Sequence, residues 1–578
     1  MITDAILKAI PPGIQLVDKE EALNNADAAD LLEMLKGAPD DEALEALNFL
    51  RFSNEPADVG SALRSYDVGL SQVALNRAIL PPTQTSLEFE LMMRHPLAYP
   101  TWAPVQPSKL DLEFLLLPSK IRWDGTGPTL LLGVDISQWT DVPITNEFSI
   151  AVLQLYLETD HPLMPLIDVD LLLDGLLGQN EFCSRILVNA LFAWACGYAV
   201  FEPEATIIGH AFYSEAKELW KKTKEARAAD HVCTVAAVQY LSVTAVSSGA
   251  GAEYVEFLGD LLEMSRRLGL FNIDPSQTLE DDVDDSADHR RAKSQIAWVL
   301  FTCLTRIYDA ELLREYCRLF LIIHDMIQVM YGVERTPYAK AITLAFAEET
   351  YKRLLMWADS LPLEMAQGDQ CTHHAMLLHI CYHLAIIDLF RSLLRQNGAP
   401  RQQLPAFKSA EATPDAVYAA SVNQLKRIVL FYRQNYPESS YCFFWQSALL
   451  YLANAMLAAA KISGHVPEWR FYFRLCMTSY QTLYTGFRLA KGITLSLLSM
   501  ALEKGVMDIP QARAIRKDLE LRSKHHELSD LVPVSWVVDL DLAMMDPSAA
   551  QAENLVQRFQ EVQLYETNGN NDTLAQEP

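Results

Sequence analysis

The sequence contains no CxxC pair, and its nine cysteines stand at least ten residues apart. A zinc site built from neighbouring thiolates is thereby excluded, and the odd, scattered set reads as free thiols of a reducing, intracellular compartment. No basic-then-apolar leader opens the chain. The longest nearly continuous apolar run, Leu187 to Phe201, is broken by Asn189 and too short to span a bilayer, so no membrane partner is expected. No stretch of useful length alternates with a period of two, which leaves strands unsupported. There is no GxSxG elbow or GxxxxGK[ST] loop. Gly249 and Gly251 begin a GxG, but Tyr254 holds the third glycine position and no strand precedes them. Positive charge is scarce as well. A formal charge of −27 repels phosphate backbones and argues against a large direct nucleic-acid footprint. The local basic patch Trp220 to Arg227 reads as a solvated helix end.

What is present is helical periodicity. In GAEYVEFLGDLLEMSRRLGLFNID, Tyr254, Phe257, Leu258, Leu261, Leu262 and Leu268 recur at three- and four-residue spacing. Arg266 and Arg267 suit the negative helix end, and Gly269 suits the left-handed position that stops it. Cys183–Ala199, His210–Trp220 and Val232–Leu241 read as further helices of one core. Thr336–Pro337, Thr372, Thr413–Pro414, Pro467 and Pro510 mark later helix starts. The fold class is all-α: a multi-helix regulatory domain with an extended N-terminal linker and an acidic C-terminal tail. Residues 1–52 hold short amphipathic helices, and 53–145 form a Pro-rich, partly disordered linker. Residues 146–531 are the helical body, divided into 146–274 and 290–531 around the acidic surface loop Asp274–His289. The tail, 535–578, mixes eight carboxylates and Arg558 with bulky apolar residues. Two readings of it stand side by side. One is a disordered or partner-folded activation segment carried by Trp536, Asp539, Leu540, Asp541 and Leu542; the other is a docked amphipathic helix near Ser548–Leu564.

Chemistry comes close at two places. Asp281, Asp282 and Asp285 form a DDxxD that could bridge Mg²⁺ to a diphosphate, as in all-α terpenoid-type lyases, but the stretch is a polar loop. His379 and His383 share a helix face after His373 and His374, yet Ile380 stands where a zinc-protease helix needs Glu, so core histidines are the better reading. No catalytic or metal residue is assigned, and the chain is not read as an enzyme.

Taken in order, these helices resemble the middle homology region of fungal zinc-cluster transcription factors. Ile136–Asp168 is similar to the family's opening segment, and FCSRILVNALFAWA (Phe182–Ala195) to its CS-x-x-L-V-N-A helix. Ala211–Trp220, Gly259–Leu270, Leu354–Pro362, Leu378–Leu394, Asn423–Arg433, Trp445–Leu457 and Asp539–Phe559 follow in family order, so the resemblance covers about Ile136 to Phe559. The resemblance implies structural roles for Cys183, Asn189, Gly269, Trp357, Pro362, His379 and Arg391. It also implies a nuclear regulator of metabolic or secondary-metabolite genes whose body restrains an activation segment. The partners it implies are transcription machinery or co-regulators, and a homo- or heterodimer. Two departures stand out. The family's six-cysteine, two-zinc DNA-reading cluster has no counterpart, since no cysteine precedes Cys183. DNA contact is therefore expected only through a missing segment or a partner, and zinc only with the missing cluster. A family turn is also lacking near Tyr308, and Ser392 stands where Pro is common. A DNA-independent helical co-regulator or scaffold is the alternative, with a lyase more distant.

Overall fold

A computed structural model describes residues 85–101, 134–161, 164–178, 181–197, 205–226, 230–270, 286–303, 310–331, 342–368, 371–394, 403–436, 442–462, 468–484, 487–507, 509–522 and 536–559. The described elements are helical, and one isolated bridge, Val537 to Gln551, is the β-type pairing among them. Short polar side chains placed just before apolar runs set the helix starts. Thr85 caps α1 (Ser86–Arg94), Thr145 caps α2 (Asn146–Thr159), Asp168 caps α3 (Val169–Leu176) and Ser184 caps α4 (Arg185–Ala195). Each accepts a backbone N–H of the first turn. α5 (Ala205–Glu225), α6 (Val232–Ser247) and α7 (Gly251–Arg267) complete the first half of the body. At the end of α7, Gly269 adopts φ +66°, its N–H donates to Arg266 O at 3.1 Å, and Leu270 N–H donates to Ser265 O at 2.9 Å. This double closure satisfies carbonyls that the helix end would leave open.

α8 (Ala287–Cys303) and α9 (Ala310–Tyr331) lead to the second half. It comprises α10 (Leu344–Asp359), α11 (His373–Leu394), α12 (Pro414–Asn435), α13 (Gln446–Ile462), α14 (Glu468–Leu483), α15 (Leu489–Glu503) and α16 (Ile509–Arg522). A last helix, α17, covers 552–559. Thr372 and Thr413 cap α11 and α12 as their sequence positions predict. Thr336 and Pro337 lie outside the described residues, and the described helix that follows begins at Leu344 with Thr343 as its cap.

Every residue of α4 after Arg185 is buried, and α4 packs on α2, α5 and α6. α11, α12 and α13 form the corresponding centre of the second half. α11 and the stretch Phe443–Ala460 are long and apolar enough to cross a bilayer, so the run Leu187 to Phe201 was not the segment to weigh. In both, 72% of the apolar window is buried within the protein, which identifies core helices. Trp194 joins the halves: its ring lies 6.0 Å from Phe443 and 5.6 Å from Phe487, and its indole N–H donates to buried Asp160.

Within 53–145, the described residues 85–101 pack on the body. Leu87 and Leu91 of α1 are fully buried, and α1 packs on α12. Glu88, also buried, accepts from Asn423 Nδ2 at 3.4 Å and lies 3.9 Å from Arg427. Tyr99 Oη lies 2.9 Å from Tyr351 Oη and 3.0 Å from Ser421 Oγ. Nine residues with two core positions are too few for a periodic signal, which is why α1 is silent in the sequence. The acidic loop ends earlier than its sequence suggests, because His289 already belongs to the first turn of α8. Residues 1–52, the Asp281–Asp285 motif and Tyr308 lie outside the described residues.

Several histidines are sealed in this core. His161 Nε2 lies 2.9 Å from Ile167 O, and His379 Nε2 lies 2.7 Å from Met365 O. Burial disfavours the imidazolium and lowers both from 6.5 to about 4, and His383 to about 3. The unfolded chain therefore binds protons below pH 6.5 that the folded chain refuses. This contribution to stability is complete above pH 6.5 and is lost as pH falls toward 4, at up to about 1.4 kcal/mol per pH unit for each group. Denaturant midpoints measured from pH 7 to 5 should fall accordingly. His379→Gln, which keeps a donor for Met365 O, should flatten the decline; an unchanged slope would contradict the assignment.

Candidate functional site: the docked C-terminal segment

The segment 536–559 first folds on itself. Asp539 Oδ1 accepts the N–H groups of Asp541 at 3.0 Å and Leu542 at 2.8 Å, which turns the chain into the short 3-10 helix Leu542–Met544. Asp546 Oδ1 does the same for Ala549 N–H at 3.0 Å. Val538 N–H then donates to Ala550 O at 2.9 Å, and Ala552 N–H to Trp536 O at 2.8 Å, so the loop closes and α17 begins.

The closed loop is seated on α13 and α15. Asn454 of α13, 4% exposed, donates from Nδ2 to Val538 O at 2.9 Å and accepts Leu540 N–H on Oδ1 at 3.2 Å. One amide thus meets the backbone as a neighbouring strand would. Ser496 Oγ on α15 donates to Ala552 O at 3.2 Å, while Val538, Leu555 and Phe559 are buried. Arg558 lies 3.7 Å from Glu503 at the exposed rim.

Arg391 of α11 supplies the charge. Its guanidinium is buried, lies 5.3 Å from the Tyr451 ring centre and approaches Asp541 Oδ1 at 4.0 Å. Tyr451 Oη donates to Asp388 Oδ2 at 2.5 Å. Burial works to lower the Arg391 pKa, but Tyr418, Asp388, Tyr451 and Asp541 outweigh it and raise it. Burial raises the Asp388 carboxyl above its ordinary range against the pull of Arg391 and Tyr451. The site is a buried cation facing a segment that carries carboxylates.

Of the residues singled out in the sequence, Arg391 and the group Trp536, Asp539, Leu540, Asp541 and Leu542 therefore converge. The segment does not begin as a free acidic tail, because its backbone polar groups find partners in the body and Trp536, Val538, Leu540 and Leu542 are at least partly covered, although Met545 is exposed. Trp357, Pro362 and His379 meet at a second place, the turn between α10 and α11. Trp357 Nε1 donates to Glu315 O at 3.1 Å, Pro362 O accepts Met365 N–H at 3.0 Å, and Met365 O faces His379. Asn189 pins the opening segment, donating to Trp139 O at 3.1 Å and accepting from Thr140 Oγ1 at 2.8 Å. Cys183 is a buried thiol, raised by burial and by neighbouring Cys233 to about 12. Asn454, Ser496, Asp388 and Tyr451 were not foreseen. The signal for Asn454 was a lone amide within the apolar run ALLYLANAML (Ala448–Leu457).

The described cysteines are single free thiols, seven of the eight buried, so they do not fit a thiolate zinc cluster. No protein-family profile and no solved structure matches the chain. Two curated proteins are similar to it. The nitrogen assimilation transcription factor nirA of Emericella nidulans is 22% identical over 391 residues, 58% of this chain and 42% of its own length. The nitrogen assimilation transcription factor nit-4 of Neurospora crassa is 22% identical over 369 residues, 53% of this chain and 33% of its own. The matches span less than half of either relative. The resemblance to fungal transcription factors read from the helices is borne out by both.

Asn454→Ala leaves Val538 O and Leu540 N–H without their partner and should cost about 2 kcal/mol. Limited proteolysis should then cut within 536–559 well before the body. Asp541→Ala should cost less than about 1 kcal/mol, since the carboxylate is one-third exposed and at the limit of an ion pair. Equal protection of the segment in wild type and Asn454→Ala would contradict the role of that amide.

Proposed function

We propose that this chain is the regulatory region of a fungal-type transcription regulator, in which the helical body holds an acidic C-terminal segment and yields it to partners on a signal. The observation that supports this most is the seating of Val538–Asp541 on Asn454 and Arg391. Its similarity to two transcription factors gives the reading its context. Trp536, Leu540 and Leu542 interleaved with Asp539 and Asp541 have the make-up of segments that fold onto a partner surface. While docked, these side chains are half-buried or buried. A co-activator or the transcription machinery would meet them only after release. Control of this kind needs no catalytic residue, and none is assigned.

On this reading the chain acts in the nucleus and reaches DNA through a segment or partner beyond the part described. Its genes belong to a metabolic pathway, and nitrogen assimilation is the one named for the two relatives. The test is a reporter driven by the full chain tethered to a heterologous DNA-binding domain. Asn454→Ala should raise output several-fold by shifting the docked equilibrium, and deleting 535–578 should abolish it. Output unchanged by the deletion would remove the segment from the mechanism.

A further inference from the structure

We infer that Glu181, His231 and His289 form a binding site for a divalent ion of the zinc class, separate from any thiolate cluster. The three come from different elements: the loop ahead of α4, the cap of α6 and the first turn of α8. One ligand atom from each lies within 4.8 Å of the others. His289 Nδ1 stands 3.7 Å from Glu181 Oε1. Ligand atoms about 2.0–2.1 Å from a tetrahedral ion are roughly 3.3 Å apart, so closing this pair takes a few tenths of an ångström. The two imidazoles are perpendicular, with centres 6.0 Å apart, an arrangement that leaves room for an ion between ring edges. Phe182, itself buried, braces both rings, at 5.0 Å from His289 and 6.3 Å from His231. The Glu181 side chain is 66% exposed, which gives the ion a path from solvent.

Two imidazoles and one carboxylate select a borderline ion such as Zn²⁺ over Mg²⁺ or Ca²⁺, which favour oxygen donors, and over Cu(I), which favours sulfur. Ligation has a local cost. His231 Nδ1 now accepts Cys233 N–H at 3.2 Å, and Ser286 Oγ lies 3.2 Å from His289 Nδ1. Both contacts are long, and each gives way when its ring turns to the ion. In return the ion ties the start of α8 to α6 and to the loop before α4. Three protein ligands leave the remaining positions to water, and the bond energy adds to folding stability because the unfolded chain has no assembled site.

The experiment titrates the purified full chain with Zn²⁺ by calorimetry, and with Co²⁺ while following visible ligand-field absorption. Wild type should take up one tight equivalent and melt at higher temperature with Zn²⁺. His289→Gln and Glu181→Gln should each weaken binding by at least about tenfold and lose the thermal shift. His231→Asn should do the same while keeping an α6 cap, because Asn is a good N-cap residue. Circular dichroism checks that each variant is folded. Absence of a tight equivalent in wild type, or wild-type affinity retained in His289→Gln and Glu181→Gln, would overturn the site.

Discussion

Irregular backbone can be buried against helices only if its N–H and C=O groups find partners there, and this body repeatedly assigns that task to one buried side chain. Asn189 on α4 holds Trp139 and Thr140, and His161 meets Ile167. His379 on α11 holds the turn at Met365, and Asn454 on α13 holds Val538 and Leu540. Each of these side chains is buried, where an unmade hydrogen bond costs about 1–3 kcal/mol. The non-helical pieces are thus fixed in register by single residues, three on core helices and His161 in the turn after α2, while Trp194 packs the two halves together through Phe443 and Phe487.

The same device has different consequences at different places. Asn189 serves a segment that leads into α2 and in which apolar Val134 and Ile136 are buried. Asn454 serves a segment near the end of the chain, rich in carboxylates, against a body whose sequence is already acidic. Arg391 is the buried cation that faces Asp541 there, itself embedded among Asp388, Tyr418 and Tyr451. The attachment rests on Asn454, Ser496, the ion pairs Arg391–Asp541 and Arg558–Glu503 and a few apolar side chains, and these are the contacts that the proposed release would have to break.

Much of the fold was legible in the sequence. The all-α class, the Schellman end at Gly269, and the starts at Thr372 and Thr413 follow from local rules that the structure obeys. α1 was illegible because two leucines in nine residues make no period, and its anchoring through Glu88 and Tyr99 depends on residues over 250 positions away. The candidate site was half legible. Trp536–Leu542 stood out by composition and Arg391 by its place in a motif, but their meeting is tertiary. Asn454 stands out as the one amide in the apolar run Ala448–Leu457, while nothing local says which backbone it reads.

The most direct test of the central claim is amide hydrogen exchange across 536–559 in the full chain. The account predicts that the amides of Val538, Leu540 and Ala552 are protected, that Asn454→Ala removes protection from these first, and that α13 stays protected. Exchange of these amides at the free-chain rate in the wild type would contradict a docked segment.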